Sequence, residues 1–172
     1  MRRFLFFALL MLLGGGCGRE HPRDILARAE EAQKAGDTNR ALREYVRVAS
    51  EYPGTQEAEA ALFRIAAVQT NERRDMAGAV GAYKMYLRDF PEGAQAPTAL
   101  FLVGYLYNNE LGRIDSAAAA YREFLERFPA HEMAPSARYE LRTLGRSPQD
   151  SLSLPLPSPS AGPAPSPAPA GG

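Results

Sequence analysis

The stretch Leu100 to Pro129, LFLVGYLYNNELGRIDSAAAAYREFLERFP, is the last and clearest of three copies of one pattern. Its closing Phe128-Pro129 returns as Phe90-Pro91 and Tyr52-Pro53, its Tyr121 as Tyr83 and Tyr45, and its Ala117 as Ala79 and Ala41, each at an offset of 38 residues. An internal period of about 20 to 50 residues marks a stacked array, in which each unit buries its apolar face on its neighbours. Such an array offers an extended surface rather than a catalytic cleft.

Within that stretch Ala117, Ala118, Tyr121, Phe124, Leu125 and Phe128 follow at steps of 1, 3, 3, 1 and 3, which is one apolar face of a helix. Leu100, Val103, Gly104 and Tyr107 give the helix before it, Gly112 the turn between them, and Pro129 the stop. Leu62, Ile65 and Ala66, then Ala79, Val80, Tyr83, Tyr86, Leu87 and Phe90, repeat the pair one unit earlier. The first unit runs from Ile25, Ala29 and Ala32 through Ala41, Tyr45 and Val48, and is more degenerate, as expected of an end unit with one face toward water. A seventh helix is expected to begin near Pro135, the equivalent of Pro97, because proline suits a first helical turn. Its Ala134, Tyr139 and Leu141 are expected to cover the third unit, while Arg138, Glu140 and Arg142 face water. Asp37, Asp75 and Asp115 lie near the turns inside each unit and read as helix caps. The fold class is therefore all-α: a solenoid of about three helix hairpins with a C-terminal capping helix, over residues 23–145.

The third unit resembles the tetratricopeptide pattern W-x2-L-G-x2-Y, A-x3-F, P, with aliphatic and aromatic replacements. Gln69 stands where the pattern has Tyr, and Arg28 where a Leu is usual. The resemblance puts Gly104 at the closest approach of the two helices, so that leucine there should overpack the contact while alanine should be mild. In tetratricopeptide arrays the inner face is lined by the first helix of each pair. Carried onto this sequence, the protein-binding groove holds Phe63, Ala67, Thr70 and Asn71 in the second unit and Phe101, Tyr105, Asn108 and Asn109 in the third. Aromatic rings beside amides suit an extended peptide, the rings burying its apolar anchors and the amides reaching its backbone. Phe63, Phe101 and Tyr139 recur at the repeat period, which favours packing for those three; Tyr105, Asn108 and Asn109 stand outside the core pattern and favour binding.

The period of 38 rather than 34 places extra residues between each proline and the next unit, as in Pro91 to Pro97. With the aromatic-proline closure, this resembles two families of exported bacterial repeat proteins, the BamD-type outer-membrane assembly lipoproteins and the YbgF-type Tol-Pal-associated proteins. The matching residues are packing residues, so the resemblance speaks to fold more than to partner.

The ends of the chain differ from its middle. Residues 1–16 carry Arg2 and Arg3, an unbroken apolar run from Phe4 to Leu13 and then three glycines, the pattern of a secretory signal too short to span a bilayer comfortably. Cys17, the single cysteine, follows at once. Gly15, Gly16 and Cys17 resemble a lipobox, with Gly14 where that family prefers Leu; the resemblance implies lipidation at Cys17, and Gly18 in place of Asp implies sorting to the outer membrane, facing the periplasm. Residues 17–22 read as a short anchor linker, so that the seven steps from Cys17 to Asp24 hold the solenoid within about 25 Å of the membrane. Residues 146–172 form a Pro, Ser and Ala-rich tail, with eight prolines from Ser147 onward, that cannot bury enough apolar surface to fold.

Without Arg2 and Arg3 the 20 basic residues become 18 against 20 acidic ones, and a net charge near −2 argues against nucleic acid as a partner. One cysteine allows no intramolecular disulfide, so the exported domain is held by packing alone. His21 and His131 stand apart from any nucleophile or second ligand, and no phosphate-binding glycine motif is present. No catalytic residue, metal site, cofactor or small-molecule substrate is expected. The reading is a lipid-anchored interaction scaffold of the bacterial envelope, binding other envelope proteins or peptides in outer-membrane protein assembly or envelope organisation. A soluble Tol-Pal-type adaptor and an accessory subunit of a cell-wall enzyme remain as alternatives.

Overall fold

The computed structural model describes residues 19–145, so the expected signal 1–16, Cys17 and the tail from residue 146 lie outside the described residues. Seven helices follow one another: α1 (Pro22–Lys34), α2 (Thr38–Glu51), α3 (Gln56–Val68), α4 (Met76–Asp89), α5 (Ala96–Tyr105), α6 (Ile114–Arg127) and α7 (Ala134–Thr143). Each packs on the next, giving three hairpins, α1–α2, α3–α4 and α5–α6, with α7 laid on α6. The all-α solenoid read from the sequence is the fold of the described residues.

Short side chains start the helices. Asp37 accepts from the Arg40 amide at 3.0 Å, Asp75 from Gly78 at 2.9 Å, and Thr55 from Ala58 at 3.2 Å, each satisfying a donor that a helix start leaves free. Pro97 and Pro135 open α5 and α7. Asp115 is not a cap: the position equivalent to Asp37 and Asp75 is Arg113, which makes no capping bond, and Asp115 sits in the first turn, where the helix dipole favours an acid. At the other ends Tyr52, Phe90 and Phe128 close the last turn with amides bonded to the carbonyls of Val48, Tyr86 and Phe124, and the following proline prevents continuation.

A one-residue difference separates the first unit from the others. From Ile25 to Asp37 there are 12 steps, but from Leu62 to Asp75 and from Leu100 to Arg113 there are 13. The additional residue is absorbed by π-helical turns, Gln69–Arg73 after α3 and Leu106–Glu110 after α5, which widen the helix without shifting the helix that follows. Second helices therefore repeat at 38 throughout, while α1 and α3 are in register at 37.

The core is a row of rings against small residues. Ala41, Ala79 and Ala117 are fully buried, as are Tyr45 and Tyr121, with Tyr83 nearly so. Opposite Tyr121 lies Gly104, where a Cβ would stand 2.8 Å from one ring carbon and 2.9 Å from another. The first two units carry Ala29 and Ala66 at this position, both buried, so only the third pair is drawn close enough to require glycine.

The C-terminal cap differs from its sequence reading in two residues. Ala134 and Ala137 are buried and Leu141 packs on the core, but Tyr139 is 43% exposed. Phe101, its equivalent, rests on the rings of Tyr121 and Phe124 in its own second helix; α7 is followed by no such helix among the described residues, so the Tyr139 ring has nothing to cover. Glu140, expected in water, is half-buried. Arg138 and Arg142, exposed as expected, occupy the positions of Leu100 and Gly104, the two that meet the partner helix elsewhere.

Gly104→Ala is expected to be costly rather than mild, because the Tyr121 ring is fully enclosed and cannot swing aside. A loss of about 1–3 kcal/mol, larger for Gly104→Leu, should appear as a lowered urea midpoint at unchanged slope. An alanine variant as stable as the parent would show that the ring yields.

Candidate functional site

The candidate face is built from the first helices of the pairs, and its residues divide by what their side chains touch. Phe63 meets Tyr83 and Tyr86 edge to face at 5.5 and 5.8 Å between ring centres, and Phe101 meets Tyr121 and Phe124 at 5.5 and 6.0 Å. Both are packing residues within their own hairpin. Thr70 donates to the carbonyl of Ala66 at 2.9 Å, so its hydroxyl is satisfied inside its helix. Ala67 and Asn108 are half-buried and Asn71 is exposed. Tyr105 is 41% exposed, and Asn109 donates to its carbonyl at 3.1 Å, which joins two members of the predicted set on consecutive turns.

Beside Tyr105 lies a polar group that sequence reasoning did not find. The Tyr121 hydroxyl is buried with no hydrogen-bond partner among the described residues; burial drives its pKa well up, and the nearby charge of Glu140 adds to the shift. Glu140 is itself pushed up by burial. No local pattern announces this pair, since 19 residues separate its members.

The same face is polar between the first two units. Arg23 pairs with Glu57 at 2.9 Å and Arg64 approaches Glu30 at 4.0 Å, while Gln33 and Thr38 both donate to Glu72, at 2.8 and 2.6 Å. Both histidines act locally: Nδ1 of His21 accepts from the Arg23 amide and Nδ1 of His131 from the Met133 amide. Among the described residues no group of His, Cys, Asp or Glu is placed to hold a metal ion, and no helix is long and apolar enough to cross a membrane.

With three like hairpins in register, the chain can be set beside known proteins. Residues 60–93 and 98–131 each match the tetratricopeptide repeat family. The two matched segments fall on α3–α4 and α5–α6, 38 residues apart. No curated protein matches the chain significantly.

The hairpins also form grooves on the side of their second helices. One of about 540 Å³ lies between α2, α3 and α4, and another of about 430 Å³ between α4, α5 and α6. In the hairpin α1–α2 the same surface is occupied by the chain itself. Glu20 bonds Arg28 and, at 2.9 Å, Arg47; Tyr52 donates to the Glu20 carbonyl; and Arg19 donates to the Glu51 carbonyl at 3.0 Å while lying over the Tyr52 ring. Arg28, Glu44 and Arg47 stand where the second hairpin has Ile65, Ala82 and Met85. The first hairpin, where charged residues replace apolar ones, lies outside the family match, which begins at residue 60.

Glu140→Gln is expected to stabilise the protein at neutral pH. A free carboxyl titrates at 4.5 and burial raises it in the fold, so the penalty for charging it develops as pH rises through that raised value and is absent below 4.5, where both states are protonated. Melting curves of the two proteins should separate at pH 7 and converge at pH 4. A gap that persists at low pH would assign the effect to packing.

Proposed function

We propose that this protein is a lipid-anchored scaffold on the periplasmic side of a bacterial outer membrane, where its first-helix face holds envelope proteins or peptides. Tetratricopeptide repeats mediate protein–protein interactions, and the matched hairpins support protein partners in general. The observation that carries the reading is the fastening of Arg19 and Glu20 to the first hairpin directly after Cys17. A free linker from Cys17 to Asp24 would let the solenoid stand about 25 Å from the lipid. With the chain already bound at Arg19 only two steps remain, about 7 Å at 3.3–3.6 Å per residue. An acylated Cys17 would then hold the first hairpin against the bilayer surface in one orientation, and several acyl chains would make that attachment stable.

Tyr105 is the residue on which capture of a partner should depend most. It is the exposed aromatic on the first-helix face of the third unit, with the Asn109 amide held beside it. A ring of this kind can cover an apolar anchor of an extended peptide, and exposed Asn71 can meet its backbone.

The anchor is tested by mass measurement after membrane extraction. The parent should sit in the membrane fraction with a diacylglycerol-sized addition at Cys17, and Cys17→Ser should be released or stall with its signal uncut. Normal processing with unaltered retention would remove the lipid from the account. Partner capture is tested by crosslinking in intact envelopes with Tyr105→Ala and Asn109→Ala together. The variant should keep its helicity and lose its crosslinked partners, each contact being worth about 1–2 kcal/mol. Equal recovery of the same partners would move the interaction off this face.

A further inference from the structure

The three equivalent surfaces on the second-helix side are filled in different ways. In the first hairpin the chain's own Glu20 lies on Arg28 and Arg47 and its Arg19 on Tyr52. In the third, Tyr107, Ser116 and Ala119 stand where the second has Gln69, Gly78 and Gly81, with Leu87 for Ala49, so side chains take up more of the space. The groove between α2 and α4 has neither filling. Its walls include Val46 and Met85, 52% and 46% exposed, two of the five large hydrophobics that the described residues leave in water. Ile65 and Leu62 lie deeper, and at Gly81 an added Cβ would meet nothing within 4 Å. Gln69 reaches in toward Gly78, and its Oε1 is buried with no hydrogen-bond partner among the described residues. An apolar trough with these walls suits an extended, leucine-bearing peptide.

The chain contains such a peptide. Ser151 to Pro157 reads SLSLPLP, the one stretch of residues 146–172 with large apolar side chains. In an extended strand Leu152, Leu154 and Leu156 project to one side. Pro155 and Pro157 bias the leucines before them toward the extended region and reduce the entropy lost on binding. The reach is sufficient. Gly145 lies against Ile114, the first residue of α6, and α4 is two helix spacings away, about 16–20 Å. Seven steps from Gly145 to Leu152 span up to about 25 Å, and the near end of the groove is Gly78, in the first turn of α4.

We propose that the groove between the first two hairpins binds the chain's own Leu152 to Leu156 segment, as the first hairpin binds Arg19 and Glu20. The docked tail then covers the Met85 thioether and the Val46 side chain. This inference stands independently of the lipid anchor, so it can be tested in the secreted Cys17→Ser chain without detergent.

Peroxide converts accessible methionines to sulfoxides, which mass spectrometry locates. Met85 should oxidise several-fold more slowly in the parent tail than in a chain carrying Leu152→Ser, Leu154→Ser and Leu156→Ser, with Met133 unchanged as internal control. The protection should persist on hundredfold dilution, and Gly81→Glu, which fills the trough from an exposed position, should abolish protection of the segment's own amides from hydrogen exchange. Equal Met85 rates in the two chains overturn the proposal. Protection that survives the serine substitutions assigns the groove to another occupant, and protection lost on dilution assigns it to a neighbouring copy; either result overturns binding within the chain.

Discussion

A tyrosine ring on each second helix, laid on a small residue of the first, sets the spacing from which the rest of this solenoid follows. In the third hairpin the contact is tight enough that Tyr121 leaves no room for a Cβ at Gly104. Flat rings fix the separation of two helices more sharply than flexible aliphatic chains can, and Phe63 and Phe101 brace the arrangement by meeting those rings edge-on. Because each ring is buried, its hydroxyl needs a partner. Tyr45 donates to Gln33 at 2.8 Å and Tyr86, the other buried tyrosine of the middle hairpin's second helix, to Glu59 at 2.6 Å, each tying the core to a polar group of a neighbouring helix. Tyr121 has no such tie, and the half-buried Glu140 lies near it.

Charge does in the first hairpin what apolar packing does in the second. Arg28, Arg47, Glu44 and Glu20 form a partly exposed network that seals the N-terminal end of the stack with the chain that leads into it. Exposed ion pairs contribute little each, and their importance here is geometric. They hold an extended segment across two helices, with the Tyr52 hydroxyl and the Arg19 guanidinium bonded to backbone carbonyls on either side. A terminal face lined by leucines would have been open to a second copy of the stack.

The repeat, the helix pairs and the closures at Tyr52-Pro53, Phe90-Pro91 and Phe128-Pro129 were legible in the sequence because each depends on residues close together in the chain. The crowding at Gly104 was legible in kind, through the tetratricopeptide resemblance, but not in degree, since the distance to the Tyr121 ring is a property of the assembled pair. Asp115 was misread because proximity to a turn does not fix capping register; Arg113 holds that position. Tyr139 was misread because its period matched Phe63 and Phe101, while the ring's burial depends on a following helix that the pattern at Tyr139 cannot report. On the candidate face, Tyr105 and Asn109 were found by their departure from the core pattern. Glu140 and the Arg19–Glu20 fastening were not, because their partners lie 8 to 32 residues away and carry no periodic mark.

The seventh helix carries the backbone of a first helix with the surface of a terminus. Arg138 and Arg142 stand where Leu100 and Gly104 meet their partner helix, so the face that would receive a following second helix is charged. Both ends of the described stack thus carry guanidinium groups, Arg28 and Arg47 at one and Arg138 and Arg142 at the other, and joining two copies head to tail would have to strip water from charge at the junction.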